Sequence, residues 1–408
     1  AGGDGLLYEV LNGVMGRPDW EALVGSTHLG VLPGGSGNGV ATSLCYLAGE
    51  TCCPVSACFM LLRHRAAAVD VGSVMYSLPP AAVSREDGAE AHGAEQHPPA
   101  AEAPSTFGRR YSLMGVMHGV VGDLDIESEG LRCLGAERFT AQAVVRSLWH
   151  RQYASTVWYL PVRSKHDDYM AAVEQVQLSD GDVQSGGGGT GAAAASPGPG
   201  DSSEAQSTSE SLPESITNLQ DRAICRENCG PDLLFGTPAD SLSDEWQRLD
   251  IPGGGDLFYF SAAKCPFISK DNCVSRHSTM NDGIWHLQVL PAANFCSAIG
   301  FLLNLDTKGS HCDLPELVQV QARAFRLDTG PSKQFCCCAA WCTCCPTTGA
   351  VRQGDRWVTV DGNTIPDTLV QGEVHSLAIS LLGYAPRKNK SRIKNGIDMS
   401  SFATEHPV

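Results

Sequence analysis

Two glycine-rich blocks, one helix apart, constrain this chain more than any other feature. The first is Gly2-Gly3-Asp4-Gly5, opening the run AGGDGLLYEVLNG, and the second is the Pro33-Gly34-Gly35-Ser36-Gly37-Asn38 turn. Glycine reaches backbone conformations closed to other residues and lets a ligand or a second backbone come close. The second block follows an apolar strand, Gly30-Val31-Leu32, and leads into a helix starting near Gly39. A glycine turn entering a helix aims free N–H groups and the positive end of the helix dipole at an anion, typically a phosphate. Asp4 adds a carboxylate beside it. Phosphate next to a carboxylate is the outline of a phosphotransferase.

The period of the apolar residues then divides the chain. Residues 1 to 64 read as α/β. A helix is expected over Leu6–Met15, a strand over Leu29–Leu32 and a helix over Val40–Leu47, followed by an apolar stretch from Val55 to Leu62. This is a partial doubly wound nucleotide-binding domain. From residue 65 to 386 the pattern shifts to short strands: Val69–Val71, Ser73–Leu78, Trp158–Val162, Leu257–Phe260, Trp285–Leu290, Leu317–Leu327 and Trp357–Val360. Short strands separated by turn signals suggest an all-β sandwich. The fold class expected is therefore α/β plus all-β.

Low-complexity insertions interrupt the β-rich part at 79–107 and 179–222, where Pro, Gly, Ala and acidic Ser-rich sequence lack the periodicity to order themselves. A Cys-rich loop is expected over 329–354 and a basic tail over 387–408. Adjacent cysteines such as Cys336-Cys337-Cys338 do not have zinc-ligand spacing, and no metal-ligating set is assigned. Val289–Leu305, the most apolar stretch, is broken by Pro291, Asn294 and Asn304 and reads as a buried helix rather than a membrane span.

Composition excludes some partners. A net charge of −16 and a pI near 5.1 argue against nucleic acid, which needs a basic face, and against strong constitutive attraction to anionic membranes. Seventeen cysteines are an odd number, and no signal peptide is visible, so a reduced cytoplasmic setting is expected.

Three blocks together carry a family resemblance. To GGDGLLYEVLNG with Arg17-Pro18-Asp19-Trp20, and to LPGGSGN, the chain adds GVVGDLDIESEGLRCLGAERFT from Gly119 to Thr140. The chain resembles the sphingosine kinases, lipid kinases with a diacylglycerol-kinase-like catalytic domain. The Asp125-Ile126-Glu127-Ser128-Glu129 run is the part most like sphingosine kinase. The family has an earlier strand and glycine-rich turn, so the chain is expected to be N-terminally incomplete.

The resemblance implies ATP and Mg2+ as cofactors and a sphingoid base as substrate. It implies a β-rich domain that holds the lipid, an active site in the cleft between domains, and peripheral membrane contact to reach the substrate. Asp4 matches the catalytic position, where a carboxylate either takes the lipid hydroxyl proton or holds a metal-bound water. Gly3, Gly5, Glu9, Gly35, Ser36 and Gly37 match nucleotide contacts. No P-loop lysine follows the second block, and Arg132 and Arg138 match arginines that reach the nucleotide phosphates. Asp125 matches the residue that binds the polar head of sphingosine, with Asp123 beside it; on a strand, i and i+2 would share one face. Asp361-Gly362 matches a late Asp-Gly-Glu motif, but Asn363 stands where the family has Glu. Ceramide or diacylglycerol as the lipid, and a degenerate homologue that binds lipid without catalysis, are the alternatives.

Overall fold

The computed structural model describes residues 1–63, 65–78, 107–134, 137–162, 230–252, 255–292, 295–336, 357–366 and 369–383. By internal contacts the chain divides into Ala1–Val162 with Ile224–Val408, and Arg163–Ala223. The first unit is described below. The expectations for 79–106, 179–222, 337–354 and 387–408 lie outside the described residues.

Four helices come first: α1 (Asp4–Met15), α2 (Trp20–Ser26), α3 (Gly39–Ala48) and α4 (Pro54–Leu62). Local chemistry sets their ends. Gly49, with φ 73°, closes α3 in the left-handed conformation, and its amide bonds back to the last turn. Pro54 stands in the first turn of α4, where a missing N–H costs nothing. Among these helices lies one short strand, β1 (His28–Gly30).

The remaining strands are β2 (Ala66–Ser77), β3 (Phe107–Ser112), β4 (Gly115–Gly119), β5 (Trp149–Pro161), β6 (Gln247–Arg248), β7 (Asp256–Ala263), β8 (Trp285–Pro291), β9 (Val318–Cys336), β10 (Val358–Val360), β11 (Asn363–Ile365) and β12 (Leu369–Leu382). Helices α5 (Val120–Glu127), α6 (Glu137–Leu148) and α7 (Phe295–Asn304) interrupt them. All twelve strands among the described residues join one sheet, with the path β11-β10-β4-β7-β5-β9-β12-β2-β3. Strand β8 pairs with both β7 and β9, and β5 pairs with both as well, so these four close a circuit of pairings. Every pairing of named strands is antiparallel except β1 with β12, where His28, Leu29 and Gly30 lie parallel to Ser380, Leu381 and Leu382. That pairing ties the N-terminal helices to the far end of the chain.

The core follows the expected apolar positions. Trp285 is fully buried, and a Cβ on Gly72 would lie 2.3 Å from its indole, so β2 needs glycine at that point. Asn12 docks α1 on β3: its side-chain oxygen accepts the Tyr111 amide at 2.8 Å, and its amide donates to the Tyr111 carbonyl at 3.0 Å.

Several expectations need correction. The two short runs expected at 69–78 are one twelve-residue strand. The stretch Val289–Leu305 is not one helix, because β8 runs to Pro291 and only Phe295–Asn304 is helical; Leu303 on it is exposed. Strand β9 continues to Cys336, eight residues into the span read as a Cys-rich loop. Among the described residues no helix is long and apolar enough to cross a membrane.

Candidate active site

The two glycine blocks meet. The Gly2 amide donates to the Leu32 carbonyl at 3.2 Å, and the Gly34 amide donates to the Gly2 carbonyl at 3.1 Å. A Cβ on Gly35 would sit 2.5 Å from the Gly3 Cα, so each turn needs the other to be glycine. The crossing carries Asp4, first residue of α1, to the start of α3. Its Oδ2 accepts the Gly39 amide at 2.9 Å, and its Oδ1 accepts the Val40 amide at 3.1 Å.

This changes the sequence reading of the second block. The first amides of α3 do not stand free for a phosphate; Asp4 occupies them and caps the helix from a distant segment. The turn itself keeps open donors. Gly35 and Asn38 tie to each other, with the Gly35 amide donating to Asn38 Oδ1 at 2.8 Å. The amides of Ser36 and Gly37 take no partner among the described residues, and residues 34 to 36 are exposed. An anion approaching this turn meets those two amides beside the Asp4 carboxylate.

Burial is the largest influence on Asp4 and raises its pKa above the usual carboxylate value, against the pull of the Gly39 and Val40 amides. A carboxylate raised in this way is a stronger base. A third segment backs the pair of turns. The Lys270 amide donates to the Gly37 carbonyl at 2.7 Å, and the Phe267 amide donates to Ser43 Oγ of α3 at 3.0 Å.

Asp361 lies between β10 and β11. It is buried with φ 49°, and its carboxylate accepts Ser112 Oγ at 2.6 Å and the amides of Leu113, Met114 and Gly115 at 2.8, 3.0 and 2.9 Å. Four internal donors fill it, and it holds the β3–β4 turn. Asn363 closes the β10–β11 turn, its side-chain amide donating to the Asp361 carbonyl at 3.2 Å. Both Asp361 and Asp4 lie close enough to the buried Cys265 thiol to push its pKa up, after burial itself. The β3–β4 turn and the glycine crossing therefore flank one residue.

Asp123 and Asp125 lie on helix α5, not on a strand. Residues i and i+2 of a helix do not share a face, so the two carboxylates part company. Asp125 is partly exposed, and a Cβ on Gly362 would lie 3.3 Å from its Oδ2. Asp123 is fully buried, with Arg151 at 2.7 Å and the Tyr153 hydroxyl at 2.6 Å on Oδ2, and Arg146 at 3.8 Å. Arg146 also binds Glu127, as does Gln142 at 2.7 Å. Burial pushes Asp123 up to about 6 against the pull of the two arginines. This network fixes α5 to β5 and so sets where Asp125 stands. Sequence reasoning missed Arg146, Arg151 and Tyr153; the i, i+2 pair Arg151 and Tyr153 on one face of β5 was the available signal.

The other candidates scatter. Glu9 is partly exposed on α1 and Gly5 lies in its first turn. Arg138 is buried on α6. Arg132 lies in the 3-10 segment Ser128–Leu134, and its side chain is outside the described residues. A separate buried group joins β2, β3 and β12: Arg109 meets Ser73 Oγ and His375 Nε2, each at 3.2 Å, and His375 lies 3.3 Å from Glu373. Burial, then the Arg109 charge, lowers the His375 pKa to about 4.

The Ser36 and Gly37 amides, without a partner among the described residues, are donors of the kind a nucleotide phosphate takes. Among the described residues no three His, Cys, Asp or Glu side chains come together as a metal cluster. Mg2+ needs none, since one carboxylate, waters and substrate phosphates commonly hold it; Asp4 is the carboxylate at the turn.

Comparison with known proteins finds similarity to lipid kinases. Residues 1–74 match the family model of the diacylglycerol kinase catalytic domain. The chain is also similar to sphingosine kinases. It is 36% identical to sphingosine kinase 1 of Rattus norvegicus over 166 residues, 39% of this chain and 36% of that protein. It is 30% identical to sphingosine kinase 1 of Arabidopsis thaliana over 159 residues, 39% of this chain and 27% of that protein. The chain thus spans roughly a third of the length of these curated relatives. A putative diacylglycerol kinase from Bacillus anthracis str. Sterne superposes with a TM-score of 0.44 at 11% identity, covering 94% of this chain and 76% of that one. The chain is sphingosine-kinase-like in sequence, as its three blocks imply.

Proposed function

We propose that the protein is an ATP-dependent lipid kinase that phosphorylates the primary hydroxyl of sphingosine or a related long-chain base to its 1-phosphate. The observation that carries this reading is the crossing of the two glycine turns, which sets the Asp4 carboxylate beside the open amides of Ser36 and Gly37. The segment concerned is the one that matches a lipid kinase catalytic domain.

In the reaction the lipid oxygen attacks the γ-phosphorus, the bond to ADP breaks, and the hydroxyl proton leaves. Asp4 takes that proton directly or through a water it holds; its raised pKa suits the task. The Ser36 and Gly37 amides carry phosphate charge, and Arg132 and Arg138 are proposed to add to it. Mg2+, when bound, neutralises charge on the phosphate oxygens. Asp125 holds the ammonium and hydroxyl of the sphingoid head, since a carboxylate accepts from both. The β-rich part, residues 65–386, holds the hydrocarbon tail of the long-chain base, and the protein meets the membrane peripherally to find its lipid.

Asn363 in place of a family glutamate favours a second reading, a homologue that binds lipid without phosphorylating it. Steady-state kinetics of Asp125→Asn separate substrate assignment from catalysis. The KM for sphingosine should rise about tenfold or more while the KM for ATP holds, because a charged hydrogen bond is lost. An unchanged KM for sphingosine would remove Asp125 from the lipid site.

A further inference from the structure

Helix α4 buries one face and leaves the other bare. Ala57 and Met60 are buried, Met60 packs over Gly383 just beyond β12, and Leu61 packs over Gly30 of β1. On the opposite side Val55, Phe59 and Leu62 are 63%, 60% and 80% exposed. Their spacing, i, i+4 and i+7, places them in one stripe along the helix. Single exposed apolar residues are ordinary, whereas an apolar stripe marks a contact.

The charge around this stripe is unlike that of the rest of the chain. The protein carries a net −16, yet residues 51 to 69 contain no Asp or Glu. Arg63 and Arg65, both exposed, follow directly at the C-terminal end of the helix. We propose that α4 is a membrane-docking helix, which lays Val55, Phe59 and Leu62 into an anionic lipid surface with Arg63 and Arg65 on its headgroups.

Nine residues rise only about 13 Å, so the helix lies in the interface and does not cross it. An anionic surface satisfies both halves of the patch. Another copy of this stripe brings the same two arginines rather than the anionic groups that Arg63 and Arg65 would take. The basic run Arg387-Lys388-Asn389-Lys390 would meet them with like charge. The overall negative charge makes the attraction local: salt screens charges beyond about 8 Å, so the patch acts only near contact. The proposal rests on the lipid-kinase reading for its purpose, to bring the site to lipid held in a bilayer.

The test is cosedimentation of the protein with phosphatidylcholine vesicles, with and without phosphatidylserine, in the absence of nucleotide and sphingosine. Binding should require phosphatidylserine and weaken with added salt. Phe59→Ser with Leu62→Ser should weaken it at least tenfold, and Arg63→Ala about fivefold, with circular dichroism and Tm unchanged. Phosphorylation of sphingosine in detergent micelles, measured in parallel, reports on the kinase reading alone and should survive Phe59→Ser. Vesicle binding that ignores all three substitutions overturns the proposal. So does a dimer that Phe59→Ser dissociates, which would assign the stripe to a second copy. Failure in micelles with vesicle binding intact sinks the kinase reading and leaves the docking surface standing.

Discussion

Asp4→Asn is the most informative single change, because the structure gives the side chain two jobs. The substitution keeps size and shape. An Asn side chain, however, offers one oxygen and one NH2, and the Asp4 carboxylate accepts two amides, Gly39 at 2.9 Å and Val40 at 3.1 Å. One amide keeps a weaker, neutral bond, and the other faces a donor. A hydrogen bond to a charged group contributes about 1.5–3 kcal/mol. Asn also escapes the cost of burying charge, which is the main influence raising the Asp4 pKa. The net expectation is a loss of about 1–2 kcal/mol in stability, read as a lower urea midpoint at an unchanged slope. Turnover should fall much further, by about a hundredfold or more, since the base and a charge at the reacting centre go together. The KM for sphingosine should barely move. Turnover within threefold of wild type would refute the catalytic assignment, and an unchanged urea midpoint would refute the capping role.

Other residues give independent checks. Gly35→Ala places a methyl 2.5 Å from the Gly3 backbone, where no side chain can swing aside, so the turns must separate; ATP affinity by calorimetry should fall at least tenfold with sphingosine affinity retained. Arg151→Met strips the nearer cation from buried Asp123 and should cost about 3 kcal/mol by chemical denaturation. That loss should be smaller at pH 5 than at pH 8, because the remaining carboxyl then takes up a proton. His375 has a depressed pKa, about 4 against an ordinary 6.5, so its stabilising contribution is full above pH 6.5 and is lost as pH falls towards 4. Between pH 7 and 5 the wild type should therefore lose about 2 kcal/mol more than His375→Gln, in paired denaturation curves.

The sequence told much about local structure and less about what reaches across the chain. Helices α1 and α3 and strands β7, β8 and β10 were legible, because apolar period and turn residues are local signals. Strand β1 was legible too, but not its partner: nothing near His28 points to Ser380. The same limit governs the site. The glycine blocks declared close approach, yet only the fold shows that they approach each other, with Asp4 on the α3 amides. Asp361 was marked by its resemblance to a family motif, and no local signal shows that its carboxylate takes four donors from residues about 250 positions earlier. Asp123 and Asp125 were placed on one face as i and i+2 of a strand, whereas helix α5 turns Asp123 inward to Arg151 and leaves Asp125 partly exposed.

Phosphate transfer from radiolabelled ATP to a panel of lipids tests the central claim most directly. The purified protein would be given sphingosine, ceramide and diacylglycerol in separate micelles with Mg2+, and the products resolved by chromatography and mass. The account requires label on the primary hydroxyl of sphingosine, at a rate well above the other two lipids, and its disappearance in Asp4→Asn. Label on ceramide or diacylglycerol instead would contradict the substrate, and no labelled lipid at all from folded protein that binds Mg-ATP would contradict the kinase.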